Sequence, residues 1–86
     1  MKRSIKPSQI YKHFKGKYYV VLDIANDADS NNREDPDKIV IYQALYGDHL
    51  KWVRKLDEFA SEVDHQKYPN ITQKYRFEEA EISQQI

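Results

Sequence analysis

Between Ile39 and Arg54 the chain reads IVIYQALYGDHLKWVR, and this stretch constrains the fold more than any other. Ile39–Tyr46 is dense in β-branched and aromatic residues and has no Gly or Pro, a composition that suits a pleated, half-buried strand. Alternation sorts it into two faces, Ile39, Ile41, Gln43, Leu45 and Val40, Tyr42, Ala44, Tyr46. Both are largely apolar, which predicts a central strand covered on one side and partly on the other; a buried helix is the competing reading. Gly47-Asp48 supplies a residue that tolerates positive φ and one that bonds its own backbone, so a tight turn is expected there. A second strand then runs over Leu50–Leu56. Leu50, Trp52 and Leu56 share a face that Arg54 interrupts, with Lys51, Val53 and Lys55 on the other. Trp52 is expected to be buried.

The same alternation recurs upstream. Tyr18–Ala25, YYVVLDIA, reads as a strand whose apolar face is Tyr18, Val20, Leu22 and Ile24; that face is expected in the core. Tyr11–Phe14 is read as a short strand turned back by Lys15-Gly16-Lys17, the alternative being one helical turn with Ile10 and Phe14 stacked at i and i+4. Between the strands lies Asn26–Lys38, NDADSNNREDPDK, almost without apolar residues and expected to be a solvated acidic loop. It lacks the central Gly and terminal Glu of a calcium-binding EF-hand. Past Lys55 the period changes: Leu56, Phe59, Ala60 and Val63 fall at i, i+3, i+4 and i+7, predicting a short helix over Asp57–Val63. A last short strand is expected at Gln73–Phe77. Residues 1–8 are read as a loose arm and 78–86 as a frayed tail. The 86 residues thus form one small, mainly β domain, a strongly curved sheet of about five antiparallel strands with one short helix.

Composition excludes several classes of function. There is no cysteine, hence no disulfide or thiolate site. Lys2 and Arg3 are followed by no apolar run and no segment is long enough to span a bilayer, so a cytoplasmic protein without a membrane partner is expected. The formal net charge is zero, which argues against a nucleic-acid-packaging protein, but the charges come in blocks. Met1–Leu22 carries six basic residues and no acidic one, and Asp23–Asp37 carries six acidic residues against Arg33. A fold that gathers the basic blocks makes one patch.

The segments YKHFKGKYYVVLDIA, IVIYQALYGD, WVRKLDEF and YRFEE resemble, in order and spacing, a family of small bacterial proteins known only as domain-of-unknown-function family 1653. The resemblance covers Pro7 to Phe77 and is most specific at His13-Phe14-Lys15-Gly16, at Tyr42 with Ala44-Leu45-Tyr46, at Trp52-Val53-Arg54 with Phe59, and at Arg76-Phe77. It implies a small SH3-like β-barrel and no activity. The chain departs from the family pattern at Asn26-Asp27-Ala28-Asp29-Ser30, where relatives tend to have Arg-His-Ser-Glu-Thr, in the longer loop that follows, and at Gln43, where relatives usually have Arg. Chemistry that relied on that His or Arg is not carried over.

No motif specifies a reaction. His13, His49 and His65 have no metal-site spacing, so no metal or other cofactor is expected. Asp48 beside His49 resembles an orienter and base, and with His13 makes the alternative of a small hydrolase or metal-dependent enzyme. Adjacent strand residues point apart, however, and the serines lie in segments read as arm, loop, helix surface or tail. The favoured function is a non-catalytic binding module acting through a basic–aromatic surface of Tyr11, Lys12, Lys15, Lys17, Tyr19, Lys51, Arg54 and Lys55. Its partner is a protein or peptide, or single-stranded nucleic acid stacked on rings beside cations. Arg54 on an apolar face needs either a carboxylate, with Asp23 a candidate, or a place at the rim with Tyr19 as stacking partner.

Overall fold

Strand alternation and cross-strand pairing place one ring after another on a single face of the sheet. The computed structural model describes residues 3–81. Its elements are β1 (Ile10–His13), β2 (Tyr18–Asn26), β3 (Lys38–Ala44), β4 (Lys51–Lys55), α1 (Leu56–Phe59) and β5 (Phe77–Glu79). All pairings are antiparallel, in the order β4-β3-β2-β1-β5. Among the described residues β4 pairs only with β3 and β5 only with β1, so this is an open sheet with two edges and no ladder closes it into a barrel.

Tyr11 opposes Tyr19, Tyr19 opposes Ala44, Val21 opposes Tyr42, and Tyr42 opposes Trp52. Opposed residues share a face, and this face carries the core: Tyr11, Val21, Val40, Tyr42 and Phe77, closed over by Phe59 of α1 and Ile5. The rings meet mostly edge to face, as their quadrupoles favour. The Tyr11 hydroxyl accepts a hydrogen bond from the Lys6 backbone N–H at 3.0 Å, so this buried phenol has a partner. Burial pushes its pKa up.

The expected core face of β2 is overturned. Tyr18 and Leu22 are exposed, while Tyr19 and Val21 point inward. The register shifts between Val21 and Asp23, so Leu22 is the extra residue of a β-bulge. Past the bulge the faces exchange, and Ile24, opposite Val40, packs on the core. A strict period of two carried through Leu22 puts half the strand on the wrong side.

Trp52 is also corrected: it is 49 % exposed. It lies on the edge strand, where the one neighbouring strand leaves its outer flank open to solvent. The helix is a single turn, shorter than Asp57–Val63. Beyond it, Ser61 O accepts from Arg76 N at 2.9 Å and Val63 N donates to Lys74 O at 2.8 Å. These ladder-like bonds and the Glu62–Tyr75 bridge replace further helical bonds, yet Val63 stays buried.

The turn after β3 is longer than a tight hairpin. Leu50 O accepts from Ala44 N at 2.9 Å, and Gly47 and His49 both have positive φ (56° and 54°). The segment read as an arm is tied down where it is described. Ile5 is buried, and Arg3 donates to Ala60 O at 3.1 Å and Phe77 O at 2.6 Å while its guanidinium lies 3.9 Å from the Tyr75 ring centroid. Residues 1–2 of the arm and 82–86 of the tail lie outside the described residues; Glu78 and Glu79, read as tail, belong to β5.

Candidate functional site

At the Trp52 end of the sheet the core face runs out to solvent. Tyr19, Tyr42, Tyr46, Trp52 and Arg54 line a shallow cleft of about 220 Å³. Each side chain is put there by register: Tyr42 opposes Trp52, Val40 opposes Arg54, and Tyr19 is across from Ala44, two residues before Tyr46. The Tyr19 and Tyr46 hydroxyls meet at 2.7 Å. Burial, then that hydrogen bond, pushes the Tyr19 pKa well above the usual phenol value. Arg54 Nε donates to the Tyr42 hydroxyl at 3.3 Å, and its Nη1 is 3.6 Å from Glu58 Oε2. Its carboxylate is thus Glu58, one helical turn on, and not Asp23. Asp23 opposes Ile41 on the outer face, where its Oδ1 accepts from Ile24 N at 2.8 Å.

Rings and cations continue away from the cleft. Lys17 Nζ lies 5.1 Å from the Tyr46 ring centroid, and Lys15 Nζ lies 5.9 and 5.8 Å from those of Phe14 and Tyr68. His13 connects the two groups, stacked on Phe14 at 4.4 Å and edge-on to Tyr19 at 6.4 Å. Its pKa is lowered to about 4, first by burial and then by the charges of Arg76, Arg54 and Lys15. The neutral ring accepts the Lys15 backbone N–H on Nδ1 at 3.1 Å. Lys15, Lys17 and Arg54 are thus the cations nearest this row of rings, Arg54 being paired with Glu58.

The residues read from sequence therefore separate. Lys15, Lys17, Tyr19 and Arg54 come together at this end. Lys12, Lys51 and Lys55 belong to the outer face, where Lys12 opposes Tyr18 and Glu78. Tyr11 is wholly buried and presents no ring to a ligand. Sequence reasoning missed Tyr42, Tyr46 and Trp52 as cleft residues and His13, Phe14 and Tyr68 as its extension. The parity shared by Trp52 and Arg54 was the available signal.

Of the residues read as a possible orienter and base, His49 turns its ring onto its own turn. The His49 Nδ1 lies 3.1 Å from Ala44 O, and the His65 Nε2 lies 3.1 Å from Gln73 O. Among the described residues no group of three or more His, Cys, Asp or Glu is placed to hold a metal ion, and no helix is long and apolar enough to cross a membrane. Two of the larger clefts, of about 390 and 330 Å³, mix acids with bases: one uses the already bonded Arg3 beside Asp57 and Glu62, the other sets Asp35, Asp37 and Asp57 against Lys38 and Lys55.

These features define a small open-sheet β domain with an aromatic, cationic cleft at one end. The profile of one family, described as a protein of unknown function (DUF1653), matches residues 9–79, and the chain belongs to that family. Comparison with curated proteins and with solved structures finds no match.

Proposed function

We propose that the protein is a non-catalytic binding module, and that its ligand is single-stranded nucleic acid laid across the Trp52–Arg54 cleft toward Lys17 and Lys15. The observation that carries this is the Arg54 guanidinium, held by Tyr42 and Glu58 beside a half-exposed Trp52. An aromatic cleft without a cation would suit a quaternary ammonium. With Arg54 in its wall it suits an anion attached to a flat ring, and a nucleotide is both. A base stacks on Trp52 while Arg54 and Lys17 meet the backbone. The cleft holds about one base, so this is a short contact of modest affinity. The reading takes the open sheet as an SH3-like scaffold and the bacterial cytoplasm as its setting, which the family resemblance and the absence of cysteine support.

The test is a titration of Trp52 fluorescence with a short oligothymidylate at two salt concentrations. Quenching that saturates, weakens as salt rises and is lost in Arg54→Ala is the expected result. The double variant Asp48→Asn/His49→Asn binds as the wild type does. A signal that ignores salt and survives Arg54→Ala overturns the reading.

A further inference from the structure

We propose that the outer edge of β4 accepts an acidic, extended peptide as a sixth strand, an interaction separate from the cleft and independent of it. Ladder geometry identifies the free groups. Ala44 N donates to Leu50 O, so Ala44 and Leu50 form a hydrogen-bonded pair. Such pairs alternate along an antiparallel ladder, which makes Tyr42–Trp52 and Val40–Arg54 the next two. The N–H and C=O of Lys51 and Val53 and the N–H of Lys55 therefore point away from β3, the Lys55 C=O being the N-cap acceptor of α1, and among the described residues no strand pairs with them.

The two edges of the sheet are treated differently. On β5 the analogous outward carbonyl, Phe77 O, is taken by Arg3 at 2.6 Å. On β4, among the described residues, no side chain bonds the outward backbone groups of Lys51 and Val53, and Val53 is 66 % exposed. Lysines on an edge strand discourage pairing with a like strand. Two β4 edges meeting antiparallel about Val53 would set Lys51 against Lys55 twice, so a second copy is rejected. The same spacing selects a strand of opposite charge. Opposed side chains share a face, so a partner reading acid–x–apolar–x–acid puts carboxylates on Lys51 and Lys55 and its apolar residue on Val53. Neither lysine has a carboxylate within 4.0 Å among the described residues, where the ion pair found is Arg54–Glu58. The internal competitors are Asp35, Asp37 and Asp57, which share a cleft with Lys55.

The experiment is amide hydrogen exchange on the ¹⁵N-labelled full chain with an end-capped peptide of sequence TETVTET. Slowed exchange at the amides of Lys51, Val53 and Lys55, absent with TKTVTKT, is expected. Lys51→Glu/Lys55→Glu should invert the peptide preference, each change being on the order of tenfold in affinity. Val53→Pro removes the central outward donor and leaves the ladder bonds to β3, so it abolishes binding; should that variant unfold, the charge inversion still decides. Equal binding of both peptides, no protection at the three amides, or a dimer by sedimentation overturns the proposal. Oligothymidylate binding is a separate readout: its loss in Arg54→Ala leaves this edge unaffected, and failure of either test does not imply failure of the other.

Discussion

The rings of Phe59 and Phe77 stack face to face, 4.0 Å between centroids and 4° between planes. One comes from the single-turn helix and the other from the short edge strand β5, and both are almost wholly buried. Neither α1 nor β5 is long enough to be stable by itself. The stack joins them across the core, and Arg3 adds its bond to Phe77 O from outside. Phe59→Ala opens a cavity under the sheet and should cost about 3–5 kcal/mol, most of the stability of so small a domain. Urea unfolding measures it; a midpoint unchanged from wild type would refute the packing described.

Trp52 supplies the contrast. With about half its surface in water, Trp52→Ala should cost about 1 kcal/mol or less, far below a buried ring. Native fluorescence should be red-shifted and quenched readily by both acrylamide and iodide, the anion aided by Arg54 on the same face. A blue-shifted emission shielded from both quenchers would place the indole in the core.

Arg54 is expected to matter more for ligand than for fold. Its Tyr42 bond and Glu58 pair are partly solvated, so Arg54→Ala should lower stability by only about 1 kcal/mol. Arg54→Lys keeps the charge but loses the planar fork, and oligothymidylate affinity should fall in Arg54→Lys as well as in Arg54→Ala. Thermal melts beside the fluorescence titration separate the two roles. A large drop in melting temperature with ligand binding intact would make Arg54 structural.

Much of the sheet was legible because local composition and tertiary role agree. Ile39–Tyr46 and Leu50–Leu56 announce β3 and β4 by β-branched and aromatic content, and the structure places strands at Lys38–Ala44 and Lys51–Lys55. What failed depended on nonlocal facts. The bulge at Leu22 is set by pairing with β3, and no residue type marks it. The helix stops early because Ser61 and Val63 find backbone partners at Arg76 and Lys74, more than ten residues away in sequence. Burial of Trp52 depended on its strand having a neighbour on each side, and strand order is not written in alternation. The cleft was half visible: Arg54 and Tyr19 could be named, with Lys15 and Lys17 beside them, and alternation already set Lys51 and Lys55 on the face opposite Arg54, but that Lys12 shares their outer face follows only from the β1–β2 register.

The acidic loop is expected to be dispensable for folding. Its bonds are largely its own: Asp27 Oδ1 accepts from Asp29 N at 2.9 Å, Asn32 Oδ1 accepts from Glu34 N at 3.1 Å and Asp35 N at 3.2 Å, and Arg33 donates to Ala28 O at 2.9 Å. Replacing Asp27–Asp35 by a short Gly-containing turn should change stability by about 1 kcal/mol or less, since closure entropy depends weakly on length. Guanidinium unfolding of the shortened protein checks it. Failure to fold would mean that the loop supports β2 and β3 beyond their own ladder.

His13 makes stability depend on pH in a definite direction. Its folded-state pKa of about 4 lies below the ordinary value of 6.5, so between those values the unfolded chain holds the proton that the folded protein refuses. Stability then rises with pH across this window. The contribution is complete above about pH 6.5, is lost progressively as pH falls, and stops growing worse below about pH 4, where both states are protonated. Protonation would also put a hydrogen on Nδ1, the atom that now accepts the Lys15 N–H. The loss should be on the order of 2 kcal/mol, less than the full displacement implies because the ring is partly solvated. Carboxylates titrate near the lower end of the same window, so the comparison must be internal. His13→Phe keeps a ring against Phe14 and Phe77 and removes the titration. Urea midpoints measured from pH 4 to 8 should fall more steeply on acidification in wild type than in His13→Phe. Parallel profiles would show that the imidazole titrates normally and that its burial does not resist protonation.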